Sequence, residues 1–263
     1  MIFKKITTTL YVALALTLAQ AQADTLDNIQ KAGRIRIGIG MDVPPYGMKD
    51  AQLKPIGSDV ETAKLIADDM GLALDIVPTT AANRIPYLQT NKVDIVIASL
   101  SVTPEREKVI DFSTPYAAIL AVVAAPKSMT IKSFADLAGK KVVVTRASTN
   151  DAEITKNAKD AQIVRFDDDS TSITAILSGQ ADIFVTSPAL MIVINKRNPQ
   201  KDLETKLVIK TFKLAIGIRK TDGRLKEKMN AYVKAGLKDG KLSQIYQKYH
   251  GVPLPDDILK GAD

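Results

Sequence analysis

The chain has 263 residues, 46% hydrophobic and 25% charged, which is enough apolar material for a real core and excludes a disordered chain. It has no cysteine, which excludes disulfides and a lipid-modified N-terminal cysteine. The formal net charge is +7, but the lysines are scattered along amphipathic segments without a basic stripe or interleaved aromatics, so nucleic-acid binding is not expected.

At the N-terminus, Lys4 and Lys5 precede an apolar stretch over 6–19 and two overlapping Ala-Gln-Ala triplets ending at Ala23. A positive n-region, a short apolar h-region and small residues at a cleavage point read as a secretory signal peptide over 1–23, cut before Asp24. The apolar run falls short of the roughly 20 residues that span a bilayer. Loss of Lys4 and Lys5 leaves a charge of +5. The expected location is the periplasm, as a soluble, non-lipidated protein.

Beyond residue 24, short β-branched runs alternate with helical patterns. Strands are expected over 34–39, 72–77 and 93–98, with helices over 59–70, ended by Gly71, and over 84–90. The alternation resumes with strands over 141–145, 162–166 and 182–185 and helices over 149–158 and 171–178. Strand and helix in turn predict an α/β protein with mainly parallel sheets. The apolar runs 117–124 and 213–218 lack a crossover helix and suit strands passing between two units. Residues 222–249 read as helical, with Gly236 and Gly240 as breakers.

Several motifs occur in order. Ile37-Gly38-Ile39 is followed by Asp42-Val43-Pro44-Pro45-Tyr46, then Gly57-Ser58-Asp59-Val60-Glu61. Val93-Asp94-Ile95 leads to Ser99-Leu100-Ser101-Val102-Thr103-Pro104-Glu105-Arg106, Asp111-Phe112-Ser113-Thr114-Pro115-Tyr116, and Asp136-Leu137-Ala138-Gly139-Lys140-Lys141-Val142. The ordered set resembles the periplasmic amino-acid-binding proteins of polar amino-acid ABC importers, solute-binding protein family 3. Asn83-Arg84-Ile85-Pro86-Tyr87-Leu88-Gln89 resembles the glutamate/aspartate-binding branch. The resemblance implies a two-lobed, type II periplasmic-binding-protein-like fold with two hinge strands. Lobe 1 is expected from 24–117 and 215–263, lobe 2 from 118–214, with the ligand in the cleft and closure by hinge motion. It also implies a membrane permease as partner, a monomer, and no cofactor or metal.

The resemblance assigns Arg106 to the ligand's α-carboxylate, whose two oxygens match a guanidinium fork. Ser99 and Ser101 end the preceding strand and present backbone and hydroxyl groups, in the crevice where open α/β sheets bind ligands. Arg84 is expected to reach a side-chain carboxylate, so two arginines would face a dianion. Arg146, Ser148 and Thr149 follow a strand and open a helix, whose free N–H groups suit an anion. Asp42 is placed at the cleft mouth, and Tyr46 joins the ligand-binding set. Ser187 stands where the family usually has an aspartate for the α-ammonium and supplies no counter-charge. Asp169 is the substitute from a neighbouring loop, with helix capping as its alternative role. Gly40 and Val43 occupy positions that are acidic and aromatic in binders of basic amino acids. The expected ligand is an acidic amino acid or a related small carboxylate.

Two other readings stay open. One is a cyclic-carboxylate dehydratase on this scaffold, with Asp169 or Glu153 as acid. An enzyme is not expected, since the single histidine, His250, stands near the C-terminus. The other is a ligand-sensing module for a signalling partner.

Overall fold

The structure, a computed structural model, describes residues 24–262. The signal peptide read over 1–23 lies outside the described residues.

The first helix, α1 (Thr25–Ala32), starts at Asp24, whose side chain accepts from the Leu26 N–H, and ends at left-handed Gly33. β1 (Arg34–Gly40) follows, with Ile35, Ile37 and Ile39 fully buried. A small hairpin, β2 (Met48–Lys49) and β3 (Pro55–Ile56), leads to α2 (Ser58–Asp69), β4 (Ala73–Thr79) and α3 (Arg84–Gln89). β5 (Ile95–Val96), the single turn α4 (Pro104–Glu107) and β6 (Asp111–Phe112) complete the outward leg.

The chain then crosses into β7 (Ala117–Pro126) and continues through β8 (Lys141–Thr145), α5 (Thr149–Asn157), β9 (Gln162–Phe166), α6 (Asp169–Leu177), β10 (Ile183–Thr186), α7 (Pro188–Arg197) and β11 (Leu203–Leu214). It returns through β12 (Gly217–Ile218) to α8 (Gly223–Lys238), α9 (Lys241–His250) and α10 (Asp256–Leu259). Two five-stranded sheets result. The first runs β4-β1-β5-β12-β6 and the second β11-β7-β10-β8-β9. Each has its own core. Ile37, Ile66, Ile95, Leu225 and Met229 belong to the first. Val142 and Val144 pack on one face of the second sheet, and Val143 with Phe184 and Ile176 on the other. A strand buried on both faces explains the unbroken valine run of β8.

Three expectations are corrected. The sheets are mixed, because β12 runs antiparallel to β5 and β6, and β7 antiparallel to β10 and β11. β11 begins at Leu203, ten residues before the predicted strand, and pairs with β7 from Leu203↔Pro126 to Leu214↔Ala117. Its alternation is blurred by two register shifts, each of which puts two neighbours on one face. Gly236 lies inside α8 and breaks nothing. A Cβ there would sit 3.0 Å from Leu242, so it permits close approach of α9, while left-handed Gly240 makes the turn. The helix α7 is an addition to the predicted elements. Its β-branched run hides the pattern, but the Ser187 cap and Pro188 in the first turn start it.

Candidate ligand-binding cleft

The carboxyl ends of β1, β4, β8 and β10 meet across a gap between the two sheets. The gap is narrow, with a cavity volume of about 50 Å³. Ligands of open α/β sheets bind at such strand ends.

Arg84, the first residue of α3, forms one wall. It is buried, and its Nη1 donates to the Ala98 carbonyl at 2.6 Å. Burial pushes its pKa down to about 10, against the pull of Asp169 and Asp59. Ser99 adjoins it in a left-handed conformation, φ 43°, held by a 2.6 Å bond from its N–H to Asp59 Oδ2. Asp59 is buried at the start of α2 and also accepts from the Tyr116 hydroxyl at 2.8 Å. Burial raises its pKa to about 6. The turn that delivers Asp59 requires glycine: Gly57 has φ 133°, and a Cβ there would lie 2.2 Å from the Tyr46 carbonyl oxygen.

Polar contacts from Ser101, Arg106 and Asp42 cross the gap. The Ser101 and Thr149 hydroxyls lie 3.4 Å apart. Arg106 Nη1 donates to the Ser101 carbonyl at 2.8 Å, and its Nη2 donates across the gap to the Ala147 carbonyl at 3.3 Å. Burial pushes Arg106 down to about 9, and Arg84 adds to the shift. Arg106 stands in the depression next to the cleft, beside Ala147, Ser148 and Thr149. Asp42 Oδ2 accepts the N–H groups of Asp169 at 2.9 Å and Ser170 at 3.4 Å, at the start of α6. A carboxylate at a helix N-terminus suits the macrodipole, although burial raises the pKa of Asp42.

On the far wall, Ser148 caps α5, accepting from the Asp151 N–H at 3.1 Å. Asp169 Oδ1 accepts from the Thr145 hydroxyl at 2.8 Å. Burial and then Asp42 raise its pKa to about 7, with Arg84 and the Thr145 bond opposing. Ser187 is buried and caps α7, accepting from the Leu190 N–H at 3.4 Å.

The cleft lining thus includes Arg84, Ser99, Ser101, Ser148, Thr149, Asp169 and Ser187. Four expected residues lie outside this lining: Arg106 lines the adjoining depression, Asp42 a separate one, and Arg146 and Tyr46 lie farther off. Arg146 is 52% exposed and paired with Asp167 at 2.9 Å; its backbone follows β8 outward to bond the Phe166 carbonyl. Tyr46 is buried in the first core, its ring 4.7 Å from that of His250. His250 packs between Tyr46 and Tyr246 and meets Ser58 Oγ at 3.1 Å, outside the cleft lining. Glu153 lines the adjoining depression. Thr79, Thr80, Asn150 and Thr186 line the cleft without having been singled out in the sequence. Their signal is position, at or just past the carboxyl ends of strands. Asp59 belongs to the Gly57–Glu61 motif and supports the cleft through Ser99.

Residues 35–252 match the family described as bacterial extracellular solute-binding proteins, family 3. The ABC transporter glutamine-binding protein GlnH of Bacillus subtilis is 29% identical over 235 residues, 88% of this chain and 86% of that protein. The L-cystine-binding protein TcyJ of Escherichia coli is 27% identical, covering 89% of each. The glutamate/aspartate import solute-binding protein of Escherichia coli is 28% identical, covering 95% of this chain and 90% of that one. The glutamate/aspartate branch is therefore not distinguished from its neighbours. Among solved structures, the P235GK mutant of ArgBP from T. maritima has a TM-score of 0.80 at 32% identity, covering 87% of this chain and all of that one. The ancestral amino acid-binding protein AncCDT-1, a precursor of cyclohexadienyl dehydratase, has a TM-score of 0.76 at 33% identity, covering 86% and 99%. A family match running from β1 to beyond α9, with the same two-sheet architecture in its structural neighbours, shows that this chain belongs to family 3 of the bacterial extracellular solute-binding proteins.

Proposed function

We propose that the protein binds an acidic amino acid or a closely related small carboxylate in the interlobe cleft and delivers it to an ABC transporter permease. The observation that carries this reading is the state of two arginines, Arg84 in the cleft and Arg106 in the depression beside it. Arg84 and Arg106 are desolvated, and their polar contacts are backbone carbonyls, with no ion pair to a carboxylate among the described residues. Asp169 and Asp59 act on Arg84 without pairing with it, and Arg106 is half-buried; a cation withdrawn from water without a direct ion pair is costly, and an anionic ligand supplies one. Arg106 exchanges the long Ala147 contact for the ligand's carboxylate. Asp169, the carboxylate within the cleft lining, faces the ligand's α-ammonium and so stands in for the aspartate that Ser187 replaces.

The lobes divide at 117/118 and 214/215, where the chain passes between the sheets, and the protein works as a periplasmic monomer. None of the described helices is long and apolar enough to cross a membrane. The test is a thermal-shift panel on protein unfolded and refolded to strip carried-over ligand. It contains L-glutamate, L-aspartate, their amides, the basic amino acids, and dicarboxylates lacking the amine. A ligand at about a thousand times its Kd adds about 4 kcal/mol, a rise of about 8–16 °C for a chain of this size. No shift with any acidic member refutes the acidic-ligand reading.

One observation favours a second reading. A cleft carboxyl with its pKa raised to about 7 matches the needs of a general acid at neutral pH. Turnover of a cyclic carboxylate by wild-type protein and its loss in Asp169→Asn establish that reading; binding without turnover dismisses it.

A further inference from the structure

Four buried side-chain polar atoms among the described residues lack a hydrogen-bond partner: Thr79 Oγ1, Arg84 Nε, Thr186 Oγ1 and Asp222 Oδ2. The last is accounted for by its ion pair with Arg219 Nε at 2.8 Å. The other three all line the interlobe cleft. They come from three elements on both lobes: Thr79 ends β4, Arg84 opens α3, and Thr186 ends β10. Their residues are 4%, 6% and 1% exposed. Buried polar groups are otherwise paired almost without exception, and a valine at either threonine position would have the same shape without the hydroxyl. Unpaired polar groups gathered in one cavity mark a place where the missing partner is a ligand.

The chemistry of the three selects that partner. Arg84 Nε is a donor only, and each threonine hydroxyl can turn to donate. Arg84 also carries the positive charge. A carboxylate accepts at about four lone-pair positions, enough for three donors. A carboxamide brings two donors of its own and one accepting oxygen, and an ammonium group accepts nothing. Thr186 immediately precedes Ser187, so the wall opposite Arg84 here offers hydroxyls.

We infer that Thr79 and Thr186, beside the arginine already expected to meet the ligand's side-chain carboxylate, are specificity-determining residues of an inner subsite, their hydroxyls donating to that carboxylate. This rests on the cleft reading given above and narrows it to dicarboxylic ligands. Because Thr79 and Thr186 belong to different lobes, a carboxylate between them also ties the lobes together.

The test is titration calorimetry on refolded protein with L-glutamate, L-aspartate, succinate and L-glutamine as probes, in wild type and in Thr79→Val, Thr186→Val and Thr186→Ser. At least one acidic probe binds wild type, more tightly than L-glutamine. Each valine variant weakens that acid by about 10- to 100-fold, the effect of losing a hydrogen bond to a charged group, and changes L-glutamine by less than about threefold on the same scale. Thr186→Ser keeps the hydroxyl and retains most of the affinity. The ligand-free melting temperature of the valine variants is unchanged or higher, because an unpaired hydroxyl has been removed from the interior. The inference is overturned if the acid binds both valine variants as tightly as wild type. It is equally overturned if both variants lose several degrees in ligand-free melting temperature, because the hydroxyls then have structural partners. Binding of L-glutamine but of no acid overturns the inference and leaves solute binding intact. Binding of no probe overturns the inference together with the acidic-ligand reading.

Discussion

Asp59 shows how one side chain supports a site it does not line. Its two oxygens hold the Ser99 N–H and the Tyr116 hydroxyl, so Ser99 keeps a left-handed conformation that a serine seldom adopts. Asp59→Ala strands both donors, at about 1–3 kcal/mol each, and urea unfolding measures the loss. His250 acts on pH. Its folded pKa is held near 4 by burial, against an ordinary value of 6.5. Between these values the unfolded chain binds a proton that the folded chain refuses. The contribution is therefore complete above pH 6.5 and lost as pH falls toward 4, at most about 3 kcal/mol. Asp59 and Asp169, with raised values, act in the opposite direction as pH rises through about 6 and 7. The difference between wild type and His250→Asn in thermal unfolding from pH 7 to 4 isolates the histidine: relative to wild type, the variant gains stability as pH falls.

At the scale of elements, the start of α6 joins the two lobes. Asp168 caps it from within, accepting the Thr171 N–H at 2.7 Å, while Asp42 accepts the Asp169 and Ser170 N–H groups from the other lobe. Asp42→Ala loosens the closed state without touching a core, so ligand affinity falls about two- to fivefold, the equivalent of a helix-terminal charge, with the melting temperature of the free protein little changed. The turn before α2 is less forgiving. Gly57→Ala places a methyl group against the Tyr46 carbonyl in a positive-φ turn, and a loss above about 2 kcal/mol follows, readable by denaturant unfolding. The elements also show what sequence can reveal. β8 and β9 match the strands expected over 141–145 and 162–166 because their apolar runs are short and bounded. β11 was largely unread because its exposed, lysine-rich face and two register shifts break the period of two. α7 was unread because isoleucine and valine in series resemble a strand.

At the scale of the whole molecule, the two-lobed architecture was legible because ordered motifs recur at strand ends, where an α/β protein places its ligand. The cleft was legible in part. Arg84, Ser99, Ser101 and Thr149 occupy motif positions and line the cleft. Arg146 and Tyr46 occupy motif positions too, but one extends outward to Asp167 and the other is consumed by packing against His250. Spacing along a chain says which loop a residue belongs to and leaves its side-chain direction to tertiary packing. Thr79 and Thr186 carry no motif, and only the cavity identifies them.

The proposed binding of an anionic ligand between the lobes depends on Arg84 and Arg106. Calorimetric titration of the refolded wild type, Arg106→Ala and Arg84→Ala with L-glutamate, L-aspartate and succinate tests it most directly. Wild type is expected to bind, with a loss of at least about a hundredfold for every ligand in Arg106→Ala, as for a charge-assisted bidentate contact, and a comparable loss in Arg84→Ala. Wild-type affinity retained in folded Arg106→Ala and Arg84→Ala contradicts this dependence.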